Sequence, residues 1–225
     1  MSVMLGRVLS VNVAAQPSAT GEKETGLTGI GKRPVDTPVP VRAPGPKGVG
    51  GSGLSGDTVY DKRHHGGNDQ AVYAYAREDL DFWERELDRA LPGGLFGENL
   101  TTLGLDVTGA RIGERWRVGG QAVLEVSCPR IPCTVFAERI GVPGWIKRFT
   151  AHAAPGAYLR VVEPGSVRSG DEITLLARPD HEVTVGLYFR ALTTEAQLLP
   201  ELLAAGDALP DETHALFARR TAAAS

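Results

Sequence analysis

The sequence predicts a β-rich protein of the α+β class: a mostly antiparallel β-barrel body with short helices, followed by a small C-terminal three-helix domain. Three observations carry that prediction. Through the first 180 residues, apolar runs are short and are separated at regular spacing by turns rich in Gly, Pro and Asp, the pattern of a barrel or sandwich and not of a parallel sheet. Residues 77–91, "REDLDFWERELDRAL", stand apart by placing Leu80, Trp83 and Leu87 at spacings of three and four, one apolar helix face among charges. After His181 the strand pattern stops and three short helical segments follow. The body is therefore assigned to 1–180 and the helical domain to 181–225.

In chain order, residues 5–13 roughly alternate apolar and polar, as a half-buried strand does. Residues 16–57 are so dense in Gly, Pro, Thr and Lys that only short edge strands and loops can form. Loops of that length inside a compact domain are usually functional. Within them, Gly48 to Gly53 fits the spacing of a dinucleotide-binding loop, but no buried strand leads in and no helix follows, so that reading is rejected. Residues 70–75, "QAVYAY", favour a strand; residues 92–133 read as short strands between Gly turns, and 158–178 as two more around Pro164-Gly165 and a "SGD" turn. In the tail, Pro210 followed by Asp211 and Glu212 suits a helix start, and Arg219-Arg220 suits its end.

Composition narrows the function classes. With 225 residues, 42% hydrophobic and 23% charged, the chain has the make-up of a soluble globular protein. A net charge of −3 argues against general nucleic-acid binding, and no apolar run reaches the ~20 residues that span a bilayer. The N-terminus lacks a basic leader before a long apolar core and reads as the first strand, which makes the cytoplasm the expected compartment and reduced thiols the expected state.

The only two cysteines stand in "SCPRIPCT". Alternation places Cys128 on the face of Leu124 and Val126, as a small core filler. Pro129 ends regular pairing and Pro132 stiffens the chain before Cys133, which is thereby set on a rigid loop at a strand end. A disulfide across two prolines in a reducing compartment is not expected, and a lone C-x4-C is not zinc spacing. Arg130 would favour a thiolate at Cys133. From the residues alone, Cys133 is either a reactive thiol or one more buried one.

Seven segments in one order, "GKRPV" (31–35), "GLSGD" (53–57), "KRHHGGNDQAVYAY" (62–75), "FGENL" (96–100), "IGERWRVG" (112–119), "LEVSCPRIPC" (124–133) and "RVVEPGSVRSGDEI" (160–173), resemble the MOSC domain family. The nearer likeness is to its bacterial subgroup associated with 6-hydroxylaminopurine resistance, in which a β-rich body precedes a three-helix domain. The resemblance implies a molybdenum cofactor of the molybdopterin type, with Cys133 as the thiolate ligand of the metal. It also implies reduction of small N-hydroxylated compounds, such as 6-hydroxylaminopurine, with electrons from a separate donor protein. No flavin, haem or iron–sulfur motif is present to supply them internally. The resemblance departs from the family pattern at Val135, where many members carry Lys.

On that reading the anionic end of a pterin needs cations and bare backbone. Lys32 and Arg33, Lys62 and Arg63 beside Gly66-Gly67, and Arg130 are the candidates. His65 is expected to titrate near neutrality and supply protons, with His64 facing away. Asp69 would orient the imidazole or cap a turn. Glu98 and Asn99 would hydrogen-bond the pterin edge or stabilise their own turn. His152, His181 and His214 lie outside the motifs and are read as surface or packing residues. Two other readings use the same cysteine and pocket: a persulfide sulfur carrier, and a non-catalytic carrier of the cofactor.

Overall fold

A long first strand, β1 (Val3–Val13), opens the fold of this chain, whose computed structural model describes residues 3–21 and 26–216. The Gly- and Pro-rich stretch that follows yields only two- and three-residue strands, as its composition requires: β2 (Ser18–Ala19), β3 (Leu27–Thr28), β4 (Arg33–Val35) and β5 (Val39–Val41). A single 3-10 turn (Asn68–Gln70) precedes β6 (Val72–Ala76), helix α1 (Arg77–Leu87) and β7 (Leu100–Leu103). Strands β8 (Arg115–Val118) and β9 (Ala122–Pro129) lead to α2 (Thr134–Ile140) and α3 (Trp145–His152). Then come β10 (Ala157–Glu163), β11 (Gly165–Val167) and β12 (Glu172–Ala177), and the chain ends in helical segments beginning with α4 (Val185–Thr193).

Seven strands close into a barrel in the order β12, β8, β9, β10, β6, β7, β1, with β1 returning to β12 and β4 added as a flap outside β1. Every pairing is antiparallel except β6–β7, which run parallel because α1 forms a crossover between them. The barrel is mixed, and the sequence signal for the parallel pair lies in β6. All five of its residues are buried, a two-sided burial that parallel strands share. Alternation along β1 is offset by register shifts near Met4–Gly6 and Val8–Ser10. Gly6 runs so close to β7 that a Cβ there would stand 2.5 Å from the Leu103 carbonyl oxygen.

Two cores result, and β6 belongs to both. Val72, Ala74 and Ala76 point into the barrel among Val8, Val11, Leu124, Val126, Leu159 and Ile173. Tyr73 and Tyr75 point outward into an aromatic core with Trp83 of α1, Phe96, Phe136 of α2, and Trp145 and Phe149 of α3. Burial of each such ring contributes about 2–3 kcal/mol, and the edge-on pairs Phe96–Phe136 and Phe136–Phe149 add to it. Helix α1 docks through Leu80, Trp83 and Leu87, the face its spacing specifies.

Beyond the barrel, α4 is capped by the Thr184 hydroxyl, which accepts from the Leu187 N–H. The middle helical segment, Ala196–Ala208, is wound as 3-10 turns with Pro200 inside it and a break at Gly206, where the sequence led us to expect an ordinary helix. Residues 211–216 are again helical, starting after Pro210 as expected; the expected end at Arg219-Arg220 lies outside the described residues. Val185, Tyr188, Leu199, Leu202 and Leu209 of this region join the barrel's own apolar cluster.

Candidate functional site

Four segments meet at one end of the barrel and enclose a cleft of about 720 Å³ that is partly open to solvent. They are β3 and the loop after it (27–32), the 52–66 loop before the 3-10 turn, residues 97–99 entering β7, and residues 130–135 from the end of β9 into the first turn of α2. The first two touch backbone to backbone, since a Cβ at Gly29 would overlap the Thr58 carbonyl. The aromatic side of β6 and its neighbour β10 supply Tyr73 and Tyr158 to the wall.

Cys133 lines this cleft as a half-buried free thiol. Pro129 ends β9, the chain runs on through Pro132, and Cys133 then takes extended backbone angles (φ −128°, ψ 173°) as the residue that caps α2. Its carbonyl accepts from the Ala137 N–H, so the first turn of α2 holds the residue in the cleft wall. Cys128 is also a free thiol, set apart from the first. It lies at the seam between barrel and helical tail, and burial pushes its thiol up to about 12. Both thiols are half-buried: Cys133 lines the cleft, while Cys128 packs at the edge of the barrel cluster and borders a second pocket, so the expected fully buried core filler is met only in part. The register of β9 shifts near Val126–Cys128, which takes Cys128 off the simple alternation.

Arg130 is 5% exposed and also lines the cleft. Its guanidinium lies 4.5 Å from the ring centroid of Phe136 and 5.1 Å from that of Tyr73, and its Nη1 donates to the Phe96 carbonyl at 3.0 Å. Its Nε is buried with no hydrogen-bond partner, and among the described residues no carboxylate forms an ion pair with it. Burial works against this charge, but Tyr158, Tyr73, Cys133 and Glu98 together hold the group above its usual range.

Lys32 and Arg33 part company. Adjacent residues of an extended chain face opposite sides; Lys32 is buried in the cleft wall, while Arg33 is exposed on β4 and does not line the cleft. The Lys32 ammonium, 8% exposed, lies 2.5 Å from Asp57, itself 1% exposed. Burial lowers the Lys32 pKa and Asp57 opposes that shift. Asp57 further accepts from the Ala14 N–H at 2.8 Å and the Asn99 amide at 2.9 Å. Asn99 lines the cleft, yet its own groups are spent on Asp57, on the Asn12 carbonyl and on the Tyr73 N–H. Glu98 is fully buried behind the wall; its oxygens accept from the Gly94 and Phe96 N–H groups and the Thr101 hydroxyl. Both residues of this pair thus stabilise structure in place of offering free groups to a ligand.

The histidine pair divides within a turn that the His65 N–H closes on the Asp61 carbonyl at 2.9 Å. His65 lines the cleft, and His64 is 62% exposed with its Nδ1 2.8 Å from Asp61. The expectation that His65 titrates near neutrality is corrected. Burial first, then the field of Arg130, lowers its pKa to about 4, so the imidazole is neutral at pH 7. Asp69 does not orient it: its carboxylate turns to Arg160 on β10, 2.5 Å away. Arg63 is exposed and is not among the lining residues. Of the residues singled out beforehand, the cleft gathers Lys32, His65, Asn99, Arg130 and Cys133, and Lys62 does not line it. His152 stacks on Phe82 at 3.8 Å, His181 accepts from the Val183 N–H, and His214 is exposed, all away from the cleft.

Sequence reasoning missed Asp57, Asp61, Gln70, Tyr73 and Tyr158. Asp57 is the one with a usable signal, being the sole acid of the glycine-rich run 48–57. Val135 lines the cleft, so that part of the wall is apolar in this chain.

Three comparisons bear on this geometry. The MOSC domain family model matches residues 61–174. The Bacillus subtilis protein YflK is 35% identical over 79% of this chain and 76% of its own length. A protein of Gibberella moniliformis named "Reductase" is 33% identical over 60% of this chain, which corresponds to 24% of that much longer protein. Among solved structures, YiiM from Geobacillus stearothermophilus superposes with a TM-score of 0.75 at 27% identity, covering 95% of this chain and 98% of its own.

Proposed function

The chain belongs to the MOSC domain family, and from that premise we propose that it is a molybdenum-cofactor-dependent reductase of small N-hydroxylated compounds, with Cys133 as the metal's protein ligand. The observation that carries the reading is a half-buried thiol in the same cleft as a buried guanidinium with an unpartnered Nε and no counter-ion. A buried cation without a carboxylate is costly, and an anionic or acceptor-rich ligand offsets that cost. The same feature favours a bound pterin over a bare persulfide carrier, which would leave Arg130 as it is. Among the described residues no three His, Cys, Asp or Glu side chains converge to cage a metal. One soft thiolate is what the protein offers, which suits a metal that arrives with its own sulfur ligands.

When bound, the cofactor would supply a metal able to take oxygen from an N–O bond with two electrons. The protein's part is to hold, orient and protonate. Cys133 presents sulfur at the cleft, and Arg130 holds an anionic or acceptor group. The Lys32–Asp57–Asn99 chain fixes the wall, to which Tyr73 and Tyr158, packed against each other at 5.1 Å between ring centroids, add aromatic surface. The overall change, R–NHOH + 2e⁻ + 2H⁺ → R–NH₂ + H₂O, needs two protons. An anion seated against Arg130 offsets the field that helps hold His65 low, and so moves that imidazole toward the range in which it can lend one. Electrons come from a separate donor protein. The name of the Gibberella relative, of which this chain matches about a quarter, supports a reductase assignment.

The test is to purify the protein from a host that makes the cofactor, assay molybdenum and pterin, and measure reduction of 6-hydroxylaminopurine with a chemical or protein reductant. Cofactor and turnover are expected together, both lost in Cys133→Ser. Folded protein free of molybdenum and pterin would overturn the reading.

A further inference from the structure

The glycine-rich run rejected as a dinucleotide loop has an unassigned neighbour. Beside the cleft, and sharing Ser52, Asp57, Thr58 and Val59 with it, lies a second pocket of about 630 Å³ that opens to solvent. Its other walls are the backbone of Gly51, Gly53 and Gly56, with Leu54, Ser55, Arg42 and Lys62. Neither the Arg42 nor the Lys62 side chain makes an ion pair or hydrogen bond among the described residues. The one carboxylate in the lining, Asp57, is already compensated by Lys32. Two exposed cations thus border one small concavity whose only carboxylate is already paired, which gives the pocket a net positive character that favours an anion.

The backbone is open to such a ligand. A Cβ at Gly51 or Gly56 would meet nothing within 4 Å, so the chain presents bare peptide to the pocket at both positions. Gly51 itself is held from behind, its carbonyl accepting from the Gly67 N–H at 3.1 Å. We propose that this pocket is a phosphomonoester subsite: Arg42 and Lys62 bind the phosphate of a ligand whose ring occupies the adjoining cleft. Arg42 offers a planar fork matched to two phosphate oxygens, and Lys62 a point charge on a flexible stem. Nothing in this assignment requires molybdenum, so it stands or falls apart from the reductase reading, although the two share one cleft.

The phosphate has two sources, the end of a pterin cofactor or a phosphorylated base, and one experiment separates them. Cofactor-free protein is titrated with inorganic phosphate, with AMP and with adenosine while the amide resonances of residues 51–58 are followed. Saturable shifts are expected with phosphate and AMP, with AMP binding about ten-fold more tightly than adenosine and losing that advantage as salt rises. Arg42→Gln and Lys62→Gln should each remove most of the advantage and leave the melting temperature unchanged. Gly51→Ala should do the same by filling the pocket, since its Cβ has room in the free protein. If cofactor-loaded protein still binds AMP at these residues, the phosphate belongs to a substrate. If loading abolishes AMP binding and the two cation variants copurify with less pterin, it belongs to the cofactor. Absence of saturable shifts, or an AMP advantage that survives both cation variants, overturns the proposal.

Discussion

Replacing His65 tests the electrostatics of the cleft without any cofactor. The imidazole is held at about 4, against about 6.5 in an unfolded chain, because burial and the Arg130 charge disfavour its protonation. Between those two values the unfolded state binds more protons than the folded one. The contribution to stability is therefore complete above pH 6.5 and is lost as pH falls from 6.5 towards 4. A difference of about 2.5 units at 1.36 kcal/mol each sets a ceiling of roughly 3 kcal/mol. In His65→Gln that loss is absent, so its urea midpoint should fall less steeply than the parent's over this window and run parallel to it above pH 7. The measurement is urea unfolding of cofactor-free parent and variant, from about pH 4 to 7.5. Parallel curves through the whole range would refute the account and restore His65 as an ordinary, solvent-equilibrated histidine.

Three further outcomes are expected. Cys133→Ser should change stability by less than about 0.5 kcal/mol and abolish molybdenum retention, whereas Cys128→Ser should cost about 1 kcal/mol by replacing a thiol that packs on the barrel cluster with a hydroxyl; metal analysis and urea unfolding check both. Lys32→Met strands the buried Asp57 carboxylate and should cost about 3 kcal/mol by chemical denaturation, part of which Asp57→Asn in the same chain should restore. Arg130→Met removes an uncompensated buried cation while keeping its bulk, so stability should hold or rise while pterin content, read by fluorescence after oxidation, falls sharply.

Much of the architecture was legible because it rests on local rules. Turn residues at short spacing marked the barrel strands, Leu80, Trp83 and Leu87 marked the docked face of α1, and Pro129 and Pro132 marked the stiff approach to Cys133. Extended-chain parity separated Lys32 from Arg33, whereas His64 and His65 part within a turn closed on the Asp61 carbonyl. What escaped depends on partners distant in sequence. The Lys32–Asp57 pair spans 25 residues and Arg160–Asp69 spans 91, and no spacing rule joins them. Burial in the assembled wall, unreadable from "KRHHGG" itself, is what takes His65 out of the neutral range. Glu98 and Asn99 matched a motif whose alternative role, internal support, is the one they play. The parallel β6–β7 pairing was foreshadowed only by the unbroken burial of "VYAYA", which looks the same in any buried strand.

Closure of the main sheet has a consequence for how this chain behaves in a crowded solution. A ring of seven strands offers no row of unsatisfied amides for a neighbour to join; among the described residues the loose end of that sheet is the flap β4, and the other free edges belong to the short pairs β2–β3 and β5–β11. That flap is three residues long, opens with the exposed charge of Arg33 and carries Pro34, which has no N–H to give. Self-templated stacking finds almost nothing to grip there, and exchanging Pro34 for valine is the change that would lend it a handle.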